Sequence, residues 1–434
     1  MALSLHAGEL ARPQPNFFFL EVLADLWHPE SNPRGYVNLG LAENCLMHGQ
    51  LLSRMHMMLK EPGAIPDLAL TYGDGYKRLR QAVSRFLTRQ LHPFFPIEPS
   101  HVLPGNGCTV AIENMAWALA NPGEGILVGR PYYGAFPTDI GKRTGVKFVP
   151  VSFGDDDAMG MAAVQRYEDA ICAARDGGGR IGAIMLAHPH NPLGRCYPRD
   201  VLVAYMRLCE KHQVHLVSDE IYALSVFDNT IDGDADASAP FTSVLSIDPA
   251  GIIDRSLVHV LWGMSKDFGA NGLRMGFVVT QANTKLQAAL GSVFEFSWTS
   301  ALSDLVTVRI LEDDDWVESY LAENRRRLAA HHERVIRWAR EHEIPYAAGT
   351  NAGFFVWVNL GSAYRRHRPG RSVADVDETV MKALLERRVF LADGVRFGAE
   401  QAGWFRIIFT QEADILDEGL RRILAVVKGD TDRR

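Results

Sequence analysis

The chain has 434 residues, 47% of them hydrophobic and 22% charged, which is enough to bury more than one core, and its formal net charge is -7. That balance leaves no broad basic surface, so it argues against a nucleic-acid partner and favours chemistry on small molecules. Five cysteines, Cys45, Cys108, Cys172, Cys196 and Cys209, form no CxxC pair, and their odd number argues against a disulfide framework or a structural zinc site.

In chain order, the start "MALSLHAGEL" has no basic flank followed by an apolar core, and Glu21 and Asp25 interrupt the apolar run "NFFFLEVLADLW". Neither a signal peptide nor a membrane span fits, and a cytoplasmic, reducing location is expected. From about residue 70 to residue 300, short apolar runs alternate with longer helical stretches. The runs are "GILVG" (125–129), "VKFVPV" (146–151), "IGAIMLA" (181–187), "VHLVS" (214–218), "VHVLW" (258–262) and "MGFVVT" (275–280). Bounded by Gly, Pro and Asp, they predict the buried strands of a mostly parallel sheet, with helices such as 199–212 on its faces. The acidic stretch 228–240 predicts a surface loop.

After residue 305 a long charged helical stretch is followed by the apolar strand "GFFVWVNL" (353–360), a helix near 373–388 and a final strand "WFRIIFT". The expected fold class is α/β, with a large domain over 61–305 and a smaller α+β domain over 306–434 joined by the N-terminal segment 1–60. His331, His332 and His342 lie on the charged helical stretch and predict a solvated face rather than a metal site.

In an open α/β sheet, ligands collect at the carboxyl ends of strands. That rule selects "HPHNPLG", "DEIY" and "GMSK". A lysine after a buried strand, Lys266, can form an imine with a carbonyl if its pocket depresses its pKa. Arg274, beyond the "GANG" loop, offers a planar fork for an anion. Asp219 is a carboxylate at a strand end that, once desolvated, needs a cationic partner such as a protonated ring nitrogen.

Tyr222 and Asn191 could direct polar groups to the same ligand. Gly107, Cys108 and Thr109 open a helical stretch whose first amides could cradle an anion. Each residue taken singly also has an ordinary structural reading: a lysine or arginine at the surface, an aspartate capping a helix, a core tyrosine, an Asn-Pro turn, a glycine loop before a helix. No complete G-x-G-x-x-G stands here or in "GDGYKR", so a dinucleotide site is not indicated. Together the groups are those that pyridoxal phosphate requires of a protein.

The ordered blocks "NLGLAEN" (38–44), "TYGDGYKRLRQAV" (71–83), "GCTVAIE" (107–113), "NPGEGILVGRPYYGAF" (121–136), "HNPLGR" (190–195), "VSDEIYA" (217–223), "SKDFGANGLRMG" (265–276), "NAGFFVWVNL" (351–360) and "GWFRIIFT" (403–410) span nearly the whole chain. In them the sequence resembles the fold-type I pyridoxal-phosphate enzymes of the class I/II aminotransferase superfamily, most closely the 1-aminocyclopropane-1-carboxylate (ACC) synthase-like branch. The resemblance implies an aspartate aminotransferase-like fold. It makes Lys266 the imine-forming base, Asp219 the partner of the pyridine nitrogen, Asn191 and Tyr222 the partners of the phenolic oxygen, and Tyr133 the residue against the ring.

It assigns the phosphate to backbone at Cys108 and Thr109 with Ser265 and Arg274, and gives Tyr72 to the phosphate of a second subunit, hence a homodimer with shared sites. Arg406 would grip the substrate α-carboxylate, and Glu43 would lie near the substrate side chain. The family usually carries a serine three residues before the lysine, where this chain has Gly263, so Ser265 or water would have to compensate. The "LWGMSKDF" wording resembles the fungal and animal synthase-like proteins more than the plant synthases.

The "GLAEN" block and Glu43 raise the expectation of S-adenosylmethionine as substrate, with α-proton loss and release of methylthioadenosine from the γ-carbon. An aminotransferase of an aromatic or aliphatic amino acid shares every cofactor residue and is the alternative. A catalytically reduced relative is a third reading, which intact Lys266, Asp219 and Arg406 oppose.

Overall fold

The computed structural model describes residues 3–11, 18–233, 238–369 and 375–429. Among the described residues twelve strands form three sheets: β1 (Val37–Asn38), β2 (Val102–Gly105), β3 (Gly125–Gly129), β4 (Lys147–Val151), β5 (Ile181–Ala187), β6 (His215–Asp219), β7 (Val258–Gly263), β8 (Gly276–Val279), β9 (Phe355–Asn359), β10 (Val389–Phe390), β11 (Ala392–Asp393) and β12 (Trp404–Ile408). All six apolar runs read from the sequence are strands of one seven-stranded sheet, in the order β2-β8-β7-β6-β5-β3-β4. Strand β8 alone runs against its neighbours β2 and β7; the other pairs are parallel.

The alternation of side chains in these strands decides the layers. Ile126, Val128, Ala183, Met185, Val217, Leu261 and Val278 fall in one apolar cluster, while Leu127, Ile184, Leu186, Leu216, Val260, Phe277 and Val279 fall in another. Both faces are therefore buried, which is why the strands read as continuous apolar runs. The helix Arg199–His212 has the bounds expected of it; it buries Val201, Leu202, Tyr205, Met206 and Cys209 and ends at Gln213 in a left-handed conformation.

The 28-residue helix Asp314–Glu341 starts on Asp313, whose carboxylate accepts the amide of Trp316. The expected solvated histidine face needs correction there. His332 is buried against Phe227 and Phe409, and the His331 ring bonds the Phe409 carbonyl oxygen. The charged pattern hid an inward stripe that also includes Leu328, Val335 and Ile336. Among the described residues no group of three or more His, Cys, Asp or Glu is placed to hold a metal ion.

Beyond the long helix, β11-β12-β9 forms a three-stranded antiparallel sheet, and β1 pairs in parallel with β10. Strand β12 is not the last element, as the sequence reading had it. An amphipathic helix, Ala413–Lys428, follows and buries Leu416, Leu420, Ile423 and Val427. The described part of 228–240 has neither helix nor strand and is pinned by Asp232, which accepts from Asn229, Tyr346 and the Gly349 amide; residues 234–237 lie outside the described set. No helix among the described residues is long and apolar enough to cross a membrane.

Candidate active site

Parallel strands present all their carboxyl ends on one edge, so the segments after β2, β3, β5, β6 and β7 meet there. They enclose a cavity of about 160 Å³ lined by Cys108, Thr109, Tyr133, Asp139, Asn191, Asp219, Tyr222, Ser265, Lys266, Asn271 and Arg274, among others. Nine residues singled out from the sequence are thus brought together. A second, more open cavity of about 480 Å³ shares Tyr133, Lys266 and Asn271 with the first and adds Gly40–Glu43, Phe390, Arg396, Phe397 and Arg406. Tyr72 lines neither: it is 84% exposed, with its ring edge-on to Trp298 at 6.1 Å.

Lys266 stands where the two cavities join. Its Nζ donates to the Ala42 carbonyl oxygen at 2.6 Å and lies 5.8 Å from the centre of the Phe354 ring. Burial, and then the nearby Arg406 cation, push its pKa down to about 8, against an opposing pull from Glu43. The turn that carries it is held by buried Asp267, which accepts from Trp262 Nε1 at 2.9 Å, from the Ser225 hydroxyl at 2.7 Å and from the Leu224 amide at 3.2 Å. Those bonds tie Lys266 to the segment that carries Tyr222.

Asp219 is buried at the end of β6 and accepts the Ile221 amide at 3.3 Å. Desolvation lifts its pKa to about 7 in spite of that bond and of Lys266. Tyr222 is buried with its ring edge-on to Phe354 and Phe355, and burial raises its phenol far above the usual range. Asn191 and Arg406 arrive from different sheets: Arg406 Nη1 donates to Asn191 Oδ1 at 3.0 Å, Nη2 donates to the Gly40 carbonyl oxygen at 2.8 Å, and Nε is buried with no partner.

At the opposite end, the helix Cys108–Leu119 begins at Gly107 with no side chain bonded across its first amides. Arg274 lies over this turn, with Nη2 3.4 Å from the Asn106 carbonyl oxygen. Glycine is favoured at this turn because Gly107 has φ 91°, and a Cβ there would displace the Arg274 guanidinium, 2.1 Å from Nη2. Three residues escaped the sequence reading. Asn271 lines both cavities and its buried Oδ1 has no partner, although it stands in the "GANG" loop that was read only for its glycines. Asp139, pushed up to about 7 by burial and by Asp219, also has a buried unpartnered oxygen. Asp267 carried no signal beyond its place next to Lys266.

The sequence model of the aminotransferases of class I and II matches residues 35–423. The chain belongs to that family. It is 33% identical over 417 residues to 1-aminocyclopropane-1-carboxylate synthase-like protein 1 of Bos taurus, covering 93% of this chain and 78% of that one. It is also 33% identical over 403 residues to the probable aminotransferase gliI of Aspergillus fumigatus, covering 90% and 89%. In three dimensions it superposes on the aspartate aminotransferase of Thermus thermophilus with maleate at a TM-score of 0.74, with 19% identity, covering 98% of this chain and all of that one. The aspartate aminotransferase-like fold implied by the sequence blocks is thereby confirmed.

The enzymes of this family depend on pyridoxal phosphate, and so does this chain. The cavity suits that group. Asp219 is a buried carboxylate short of a cation, the uncapped helix amides beside Ser265 and Arg274 suit a phosphate, and an amine of lowered pKa stands between them.

Proposed function

We propose that this enzyme acts at the α-carbon of S-adenosylmethionine, removing the α-proton and releasing methylthioadenosine from the γ-carbon, by ACC synthase-like cyclisation or by γ-elimination or γ-replacement. When bound, pyridoxal phosphate supplies the electron sink that makes α-proton loss feasible. Lys266, with an amine that is largely neutral above about pH 8, takes and returns that proton. Asp219 would be the anionic partner of the pyridine nitrogen, Asn191 and Tyr222 would serve the phenolic oxygen, and Tyr133 would serve the ring. The amides of Cys108 and Thr109, with Ser265 and Arg274, would hold the phosphate. The Arg406 fork takes the α-carboxylate, which fixes the α-hydrogen toward Lys266.

The observation that carries this reading is the second cavity opening from Lys266. At about 480 Å³ it has room for a nucleoside-bearing side chain, and its lining includes Glu43 with Phe19 and Phe390, a carboxylate and aromatic side chains that suit a sulfonium. Incubating the purified protein and pyridoxal phosphate with S-adenosylmethionine, and identifying products by mass, tests it: methylthioadenosine release is expected, and its absence overturns the substrate assignment.

Amino-group transfer is the second reading, favoured by the likeness to the probable aminotransferase gliI and by the cations Lys142 and Arg396 in the outer cavity. Steady conversion of a 2-oxo acid by an amino donor, with S-adenosylmethionine untouched, would select it. The same proposal includes a homodimer. Leu70, Tyr72 and Phe296 are largely exposed, and Tyr72 packs edge-on against Trp298, apolar side chains of the kind a second subunit covers. Tyr72 would then reach the partner subunit's phosphate site, and light scattering of the eluted protein reads the mass.

A further inference from the structure

Three glycines stand on one rung of the large sheet. Gly105 on β2 pairs with Gly276 on β8, which pairs with Gly263 on β7. The first turn of the Cys108–Leu119 helix rests on this rung: a Cβ on Gly276 would lie 2.4 Å from the Gly107 carbonyl carbon and 2.5 Å from the Cys108 nitrogen. At Gly263 a Cβ would lie 2.5 Å from the Met275 carbonyl oxygen and 3.2 Å from Cys108 Sγ, inside van der Waals contact in both cases. The Cys108 thiol, neutral because burial raises its pKa, donates to the Trp262 carbonyl oxygen at 3.3 Å.

We propose that Cys108 and Gly263 are a matched pair: the sulfur, together with the Met275 carbonyl oxygen, fills the space that a side chain on β7 would need, and this packing sets how closely the phosphate-binding helix turn approaches the sheet. Cys108 is in this respect a positioning residue. The absence of a serine at 263 follows from that packing, and the phosphate is held without a hydroxyl at that position. Restoring the family's usual serine should therefore weaken cofactor binding, because the added atoms push Cys108 and Met275 apart and lift the amides of the first turn.

The inference rests on pyridoxal phosphate being the cofactor, and the test separates the two. Protein stripped of cofactor is titrated with pyridoxal phosphate, and its melting temperature is recorded without cofactor. Gly263→Ser is expected to raise the dissociation constant about tenfold, the scale of overpacking a tight site. In a Cys108→Ala background the same substitution should cost clearly less, both in affinity and in melting temperature. Equal losses in the two backgrounds, or a Gly263→Ser protein that binds as tightly as the parent, would overturn the pairing. If Gly263→Ser does not fold, folding of Cys108→Ala/Gly263→Ser supports the pair, and failure of both overturns it. Absence of saturable binding by the parent protein would instead remove the cofactor reading, while the melting temperatures would still judge the packing.

Discussion

The two cavities that meet at Lys266 are built on different principles. The inner one is small, and most of its walls come from the segments between strands of a single sheet; desolvation moves the pKa values of Lys266, Asp219 and Asp139 away from their usual ranges. The outer one is three times larger and open, and its walls come from Phe19, from Gly40–Glu43 and from the segment Phe390–Arg406, far apart in sequence. On the proposed reading, cofactor chemistry would sit on the desolvated edge of the sheet, where groups are cheap to orient and their charges strongly coupled. Substrate choice sits in a space enclosed by long-range packing, the part of such folds that varies most freely.

Substitutions can break or sharpen this contrast. The largest effect is expected for Lys266→Ala, which removes the inner cavity's base: turnover should fall by about 10⁴-fold or more, and borohydride reduction followed by peptide mapping should find no pyridoxyl label. Next is Arg406→Met in the outer cavity. Losing a buried, charge-assisted fork should lower kcat/KM by about 10²–10³-fold, and Arg406→Lys should recover little of it, since an ammonium cannot make two parallel bonds.

A pH profile tests how the regions communicate. With a folded pKa of about 8, below the ordinary lysine value of 10.5, the Lys266 amine is more often neutral in the native chain. Covalent capture of pyridoxal phosphate by the stripped protein should rise about tenfold per pH unit and level off above about 8. In the unfolded chain that amine binds more protons between about pH 8 and 10.5, so its contribution favours the native state increasingly as pH rises through that window. Arg406→Met, which removes a cation that lowers this pKa, should move the plateau to higher pH. Glu43→Gln, which removes an anion that raises it, should move the plateau lower; both shifts are read by stopped-flow absorbance. The smallest expected effect is on preference: Glu43→Gln should raise KM for S-adenosylmethionine about fivefold to tenfold, with less effect on an uncharged amino acid, measured by methylthioadenosine release.

Much of the large sheet was legible because a strand buried on both faces must be apolar throughout, and "IGAIMLA" and "VHVLW" leave little choice. Strand β2 was missed because "VLPG" is four residues long and contains proline, and β10 and β11 because two residues carry no period. The helix Ala413–Lys428 has a clear apolar stripe that the sequence reading did not follow beyond "WFRIIFT". His332 misled because its helix is densely charged on its outer faces, and only packing against Phe227 and Phe409 shows which way it points.

Most residues singled out in the inner cavity were accessible from local sequence because they sit in segments that follow strands, whereas Asn271 and Asp139 carry no such signal. Lys266, Asp219 and Asn191 needed only the end of an apolar run to be placed, and the backbone carries that information over a few residues. The contact of Arg406 with Asn191, the carbonyl oxygen of Ala42 beneath the amine, and the bond of Cys108 to the Trp262 carbonyl oxygen join positions 215, 224 and 154 residues apart. Such contacts are set by how sheets and helices stack, which is a property of the whole packed core rather than of any window of residues, and only the tertiary structure could decide them.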